Sequence, residues 1–129
     1  MTPDVASMLL VAGIVGIMAF FTIVVAPTVF KVLPQEWARV YVRAFFPKYY
    51  AFLGVTTALA AYLAIESTTM AVLSVCALLF FFSLWILTPR INRARDLGKS
   101  RAFGLLHGTS VIINVAQMAA LMGVLWIGS

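Results

Sequence analysis

The clearest candidates for chemistry are four polar side chains that recur at steps of three or four residues within an apolar stretch: His107, Ser110, Asn114 and Gln117. This spacing places them on one face of a single helix. Hydroxyl, amide and imidazole groups all form hydrogen bonds, and imidazole alone changes charge near neutral pH. We therefore expect the face to point into a helix bundle. There it either forms hydrogen bonds between helices or lines a path for a ligand or for protons.

Metal or haem binding is a second kind of chemistry that these residues allow. Neutral imidazole binds iron, copper and zinc, so His107 is a candidate ligand, and Met118 is a candidate sulfur donor for copper. Methionine in an apolar helix more often fills gaps between side chains. With one histidine and one cysteine, the chain cannot form a zinc site of the usual spacing. Haem or copper therefore remains an alternative cofactor that would need further ligands.

A catalytic set is missing from the sequence. The apolar stretches contain no Asp or Glu for proton coupling, and the chain has no phosphate loop, dinucleotide fingerprint or supported Ser-His-Asp combination. The sequence therefore favours a function other than catalysis. An enzyme would need a cofactor to perform the reaction.

The elements that position these residues follow from composition. Of 129 residues, 64% are apolar and 10% are charged, against roughly 45–50% and about 25% in soluble domains. Four apolar stretches are each near or above the ~17–25 residues of a membrane helix: 5–30, 49–65, 70–87 and 102–127. We predict an all-α fold with a single transmembrane domain over residues 1–129. Its architecture is an integral membrane four-helix bundle of two tandem hairpins.

The charges predict the orientation of this bundle. All nine Lys and Arg lie between the first and second stretches or between the third and fourth, whereas the turn at 66–69 and both tails have none. Basic loops stay in the cytoplasm, so the termini and this turn are expected outside, most simply across a bacterial inner membrane. Membrane orientation also explains the net charge of +5 without nucleic acid. The expected partners are the lipid bilayer and either other membrane-protein subunits or further copies of the chain.

Both basic segments are predicted to be helical. Pro34 and Pro89 are suited to the first turn of a helix. Apolar residues recur after Pro34 at helical spacing, which is typical of a helix lying on the membrane surface. We therefore expect a short cytoplasmic interfacial helix in each basic segment.

The two predicted hairpins resemble each other. In each, an apolar stretch ends near a proline (Pro27, Pro89), a basic segment follows, and the next stretch begins with Arg-Ala-Phe, at 43–45 and at 101–103. Both hairpins run in the same direction across the membrane. This pattern predicts a duplication around an axis along the membrane normal, with any site between the halves.

Four segments carry a resemblance to a known family: FFTIVVAPTVFKVLP (20–34), RAFFPKYY (43–50), LTPRINRARD (87–96) and AFGLLHGTSVIIN (102–114). In these segments the chain resembles the transmembrane-protein-205-like family of uncharacterised bacterial and eukaryotic membrane proteins. More distantly, it is similar to the copper-resistance D proteins and the small haem-binding protoporphyrinogen oxidases of bacteria. The resemblance implies a four-helix bundle and no settled molecular activity.

The polar motif residues gather near the basic ends of the apolar stretches. The predicted ligand-binding residues are Arg43, Tyr49, Tyr50, Asn92, Arg95, Asp96, His107, Asn114 and Gln117. We therefore predict a small binding or transport protein of the membrane with a polar pocket facing the cytoplasm. The alternatives are an accessory subunit or assembly factor of a larger membrane complex, and a haem- or metal-binding membrane protein.

Overall fold

The computed structural model describes residues 1–128, and its regular elements are all helical. They form four continuous helices: α1 (Pro3–Val32), α2 (Gln35–Leu63), α3 (Ser67–Asp96) and α4 (Ser100–Gly128). Links of two or three residues join them, which favours antiparallel neighbours. Gly98, in the last link, has a φ of 68°, a conformation that glycine adopts without strain. The all-α prediction is confirmed.

The helices pack in a ring. α2 contacts α1 and α3, and α4 also contacts α1 and α3. Within the described residues, no Cα atom of α1 lies within 8 Å of one in α3, and the same holds for α2 and α4. The ends of α1 and α3 and the starts of α2 and α4 meet at one end, which carries all nine Lys and Arg and which we call the basic end.

Three of the helices, α1, α3 and α4, are long and apolar enough to cross a membrane. The predicted span at 49–65 lies in α2 except for its last two residues, and this helix does not meet the same criterion of length and composition. Lys48, Thr56 and Thr57 lower the hydropathy of this helix. Its neighbours cover much of α2, where Leu53, Thr57 and Ala60 are fully buried.

The two predicted interfacial helices are not separate elements in the structure. Residues 35–48 form the beginning of α2, and residues 88–96 form the end of α3. Pro34 caps α2 in an extended conformation, but nothing ends the helix before Pro47, which lies inside α2. An internal proline removes one hydrogen bond and kinks a helix without necessarily ending it.

Matching wide turns occur in α1 and α3. Each has a π-helical segment, Phe21–Val25 and Ser83–Leu87, and the proline follows six residues after the segment begins, at Pro27 and at Pro89. A π turn bonds residue i to residue i+5, which accommodates a proline that lacks the N–H group for the usual bond. The matching position of these turns supports an internal repeat.

The Arg-Ala-Phe triplets do not occupy equivalent places. Arg43 is the ninth residue of α2, whereas Arg101 is the second residue of α4. The triplet is therefore no evidence for duplication, and the tandem-hairpin arrangement stays a prediction.

The outer surface of the helices is strongly apolar. Ile23, Leu78 and Ile112 are each about 70% exposed. A soluble protein rarely exposes a continuous apolar surface of this kind, whereas lipid covers it at no cost. This surface suggests contact with a lipid bilayer.

Candidate functional site

A cavity of about 410 Å³ lies between the helices in the half of the bundle nearest the basic end. All four helices line it: α1 between Met18 and Phe30, α2 between Arg39 and Tyr50, α3 between Thr88 and Arg95, and α4 between Phe103 and Met118. Sites for small molecules commonly have volumes of ~300–1,000 Å³. The cavity therefore has the size of a ligand site.

The cavity is open at the side because α1 and α4 separate. Residues 3–20 pack against α4, but no Cα atom of residues 21–32 lies within 8 Å of one in α4. At the opposite end the two helices are so close that a Cβ added to Gly128 would lie 2.7 Å from the Met8 sulfur. The separation begins at the π turn of α1. We call the opening between α1 and α4 the cleft.

A cluster of aromatic rings from α1 and α2 forms one wall of the cavity; Phe21, Phe46, Tyr49 and Tyr50 line it, whereas Phe45 belongs to the cluster but not to the lining. Phe21 stacks on Phe45 with ring centroids 4.8 Å apart, and Phe46 stacks on Tyr50 at 5.5 Å. Tyr49 packs 4.9 Å from Phe21. Residues 45 and 49 are one helical turn apart, and so are residues 46 and 50. All four therefore lie on one side of α2. Aromatic packing of this kind holds the wall in a fixed shape.

Tyr50 connects α2 to α4 across the bundle. It is 2% exposed, and its hydroxyl oxygen accepts a 3.0 Å hydrogen bond from Asn114 Nδ2. The same hydroxyl lies 3.3 Å from the Ser110 hydroxyl. Asn114 Oδ1 is buried without a hydrogen-bond partner. The arrangement fixes the Asn114 amide and leaves its acceptor atom available.

Three arginines line the cavity near the basic end. Arg43 forms an ion pair with Asp96, with its two terminal nitrogens 2.8 and 3.3 Å from the carboxylate oxygens. The Arg95 guanidinium lies over the Phe103 ring, 4.3 Å from its centroid. Arg39 and Arg43 both repel Arg95 electrostatically, whereas Asp96 attracts it. Asp96 is the only acidic residue paired with an arginine in the described part of the chain, so positive charge is in excess here.

His107 lines the cleft but is less buried than we expected. It is exposed, its ring lies parallel to that of Phe103 at 5.8 Å, and it forms no hydrogen bond within residues 1–128. The expectation that this whole face of α4 points into the bundle is therefore wrong at His107. The physical reason is the separation of α1 from α4, which leaves no helix to cover this side chain. Its role in binding stays a prediction.

Gln117 points inward, as expected, but it lies outside the cavity. It is 1% exposed, and its Nε2 donates a 2.9 Å hydrogen bond to the Cys76 carbonyl oxygen. This bond joins α4 to α3. Asp96 also lies outside the cavity lining and acts on it only through Arg43.

The structure brings together seven of the nine predicted site residues. Those lining the cavity are Arg43, Tyr49, Tyr50, Asn92, Arg95, His107 and Asn114. Sequence reasoning did not include Arg39 and Phe103 in this set. Arg39 lies four residues before Arg43, and Phe103 lies four residues before His107, so helical spacing was the signal that could have found both.

The suggested metal ligands cannot meet at one ion. His107 and Met118 both line the cavity. They are eleven residues apart in one helix, or roughly 16 Å. Metal–ligand bonds are about 2.0–2.3 Å long, so each residue would need ligands from other helices. Within residues 1–128, no group of three or more His, Cys, Asp or Glu is placed to hold a metal ion.

Comparisons with known proteins identify the family of the chain. No curated protein and no solved structure matches it. The sequence model of a domain of unknown function, DUF4149, matches residues 9–100. This match includes most of α1, all of α2 and all of α3, and with them three of the four walls of the cavity. Because it covers more than half of the chain, the protein belongs to the DUF4149 family of unknown function.

Proposed function

We propose that this chain is a small ligand-binding protein of the membrane and that the cavity is its binding site. The supporting observation is the convergence of seven polar or aromatic residues from three helices on one cavity. Asn92, Asn114 and the guanidinium of Arg95 provide hydrogen-bonding groups among mostly apolar walls. Such walls with a few convergent polar groups are typical of ligand sites.

The position of the cleft supports entry from the bilayer. It opens between two helices, α1 and α4, rather than at the end of the bundle. Phe30, Val111 and Val115 line it and are exposed. A ligand dissolved in the membrane reaches such an opening without passing through water.

The proposed orientation places the cavity on the cytoplasmic side of a bacterial inner membrane. Its support is the position of all nine Lys and Arg at one end. In this arrangement α2 crosses the membrane with the other helices, since its 29 residues extend for roughly 44 Å. A reporter inserted in the turn at 66–69 should be detected outside the cytoplasm, and a cytoplasmic signal contradicts this orientation.

A matched pair of substitutions tests the binding function. Val111 lines the cleft, whereas the next residue, Ile112, points outward and is 71% exposed. Val111→Trp should fill the cleft, and Ile112→Trp places the same side chain against lipid. Both variants and the wild type would be purified gently from their native membrane. Bound small molecules would then be identified by mass spectrometry, together with an absorption spectrum of each sample.

Binding in the cavity predicts that the wild type and Ile112→Trp retain the same compound and that Val111→Trp loses it with unchanged helicity. Equal retention by Val111→Trp contradicts the proposal. A Soret band would instead favour the haem-binding alternative, in keeping with the distant resemblance to haem-binding proteins. A large protein present in stoichiometric amount, with no bound compound, would favour an accessory subunit.

A further inference from the structure

We infer that the ligand is an anionic phospholipid, whose phosphate binds Arg39 and Arg95 while one acyl chain lies in the cleft. This inference rests on the proposed function and specifies the class of ligand. Basic pockets between membrane helices commonly bind anionic lipid headgroups. In this chain, three separate features favour such an occupant.

The first feature is the distribution of charge among the three arginines. Arg43 is neutralised by its two contacts with Asp96. Arg39 and Arg95 form no ion pair in the described residues, although Glu36 lies only one turn before Arg39. Both line the cavity, and Arg39 repels Arg95. A bound anion would relieve this repulsion, and phosphate oxygens match the fork of a guanidinium group.

The second feature is the change from basic to apolar lining along the cavity. Beyond the arginines, the lining toward the middle of the bundle is mostly apolar and includes Met18, Val111, Val115 and Met118, with Asn114 as a polar group among them. From Phe103 to Met118 the cavity follows α4 for about 22 Å. A lipid has this same order, with a charged headgroup followed by a long apolar chain.

The third feature is the open side of the cavity. Its volume of about 410 Å³ is that of a small-ligand site. A whole two-chain lipid is larger, but the separation of α1 from α4 leaves the cavity open to the bilayer. The headgroup and one chain can therefore occupy the cavity while the second chain stays among the surrounding lipids.

A lipid titration tests this inference. The detergent-solubilised protein would be titrated with phosphatidylglycerol and with phosphatidylcholine of the same acyl chains, and bound lipid would be measured by native mass spectrometry. The test variant is Arg39→Gln/Arg95→Gln. The control is Arg90→Gln/Arg93→Gln, which removes two exposed charges from the same end of the bundle but outside the cavity.

We expect the wild type and the control to bind phosphatidylglycerol at least roughly tenfold more tightly than phosphatidylcholine. Both lipids present the same phosphate, but phosphatidylcholine adds a trimethylammonium cation that cancels its net charge and is repelled by the two arginines. The Arg39→Gln/Arg95→Gln variant should lose the preference and retain its helicity. An equal loss in the control would overturn the inference, since it would show a general effect of charge. Displacement of the lipid by soluble glycerol phosphate would also overturn it, because the site would then bind a free anion.

The Val111→Trp variant separates failure of the inference from failure of the proposed function. If the wild type binds both lipids equally and Val111→Trp binds neither, the preference for an anion is wrong and binding in the cleft stands. If the wild type and Val111→Trp bind equal amounts of each lipid, filling the cleft has no effect. Lipid binding in the cleft is then wrong as well.

Discussion

The two halves of the bundle pack in different ways. The basic half comprises residues 21–32, 35–50, 83–96 and 100–115, and the far half is the remainder of each helix. In the far half, Ser7 donates a 2.7 Å hydrogen bond to the Ala60 carbonyl oxygen, and Leu73 and Leu121 are completely buried. In the basic half, aromatic rings and arginines surround a cavity.

The difference shows that side-chain size can close a bundle at one end and open it at the other. Small residues such as Ser7 and Ala60 allow two helices to approach until backbone and side chain form a hydrogen bond. In the basic half, Phe21 of α1 packs on Phe45 and Tyr49 of α2, and no Cα atom of residues 21–25 lies within 8 Å of one in α2. The π turn at Phe21–Val25 marks the point where α1 leaves α4.

The largest expected effect compares one phenylalanine from each half. Phe80 is completely buried in the far half, so Phe80→Ala should lower the free energy of unfolding by about 3–5 kcal/mol through loss of contacts and creation of a cavity. Phe103 is partly exposed in the basic half and contacts Arg95 and His107. Phe103→Ala should cost less than about 1.5 kcal/mol. Unfolding in mixed micelles with increasing dodecyl sulfate measures both values.

Similar losses from the two substitutions would contradict the comparison. They would show that the basic half is packed as tightly as the far half, and that the cavity does not reflect looser packing.

A smaller effect concerns the turn at the far end, where Glu66 caps α3. The backbone N–H groups of Thr69 and Thr68 donate hydrogen bonds to its carboxylate and hold its pKa below the usual value. A carboxyl whose pKa is lower in the folded state stabilises the fold above its unfolded pKa. This contribution is lost as the pH falls through the folded pKa.

Wild-type stability should therefore decrease in acid by more than that of Glu66→Gln, which cannot ionise. Thermal unfolding between neutral pH and about pH 3 measures the difference, since carboxyl groups of Glu titrate near pH 4.3. Ser67→Ala, at the adjacent exposed position, is the control and should follow the wild type. Parallel pH profiles for the wild type and Glu66→Gln would rule out this contribution of the cap.

The smallest expected effect is that of Gln117→Leu, although Gln117 is fully buried. The substitution removes the bond to the Cys76 carbonyl, but it also removes Oε1, which is buried without a partner. Hydrogen bonds between membrane helices contribute about 0.6 kcal/mol on average. The free energy of unfolding should therefore change by less than about 1 kcal/mol.

Asn114→Leu, in the basic half, is the matched comparison for Gln117→Leu. It removes the bond to Tyr50 and changes the cavity wall, so it should reduce retention of the bound compound. A large destabilisation by Gln117→Leu would contradict the small structural contribution expected of Gln117. Normal retention of the bound compound by Asn114→Leu would contradict the role of Asn114 in binding.

Much of the candidate site was predictable because helices impose fixed spacings. Asn92 and Arg95 are three residues apart, and His107 and Asn114 are seven apart, so each pair lies on one helix face. The exclusion of Gln117 was not predictable. It continues the same face of α4, but its side chain turns toward α3 and bonds to the Cys76 carbonyl, whereas Met118, one residue farther along, still lines the cavity. Spacing within one helix does not reveal which neighbour a side chain meets.

The sequence by itself determined the all-helical fold, the apolar surface and the gathering of positive charge at one end. These properties depend on composition and on the order of residues along each helix, so they can be read locally. Only the tertiary structure decided that α1 and α4 separate, that Arg43 pairs with Asp96, and that Arg39 and Arg95 form no ion pair within residues 1–128. Each of these depends on distances between residues that are far apart in the chain, and packing between helices sets those distances.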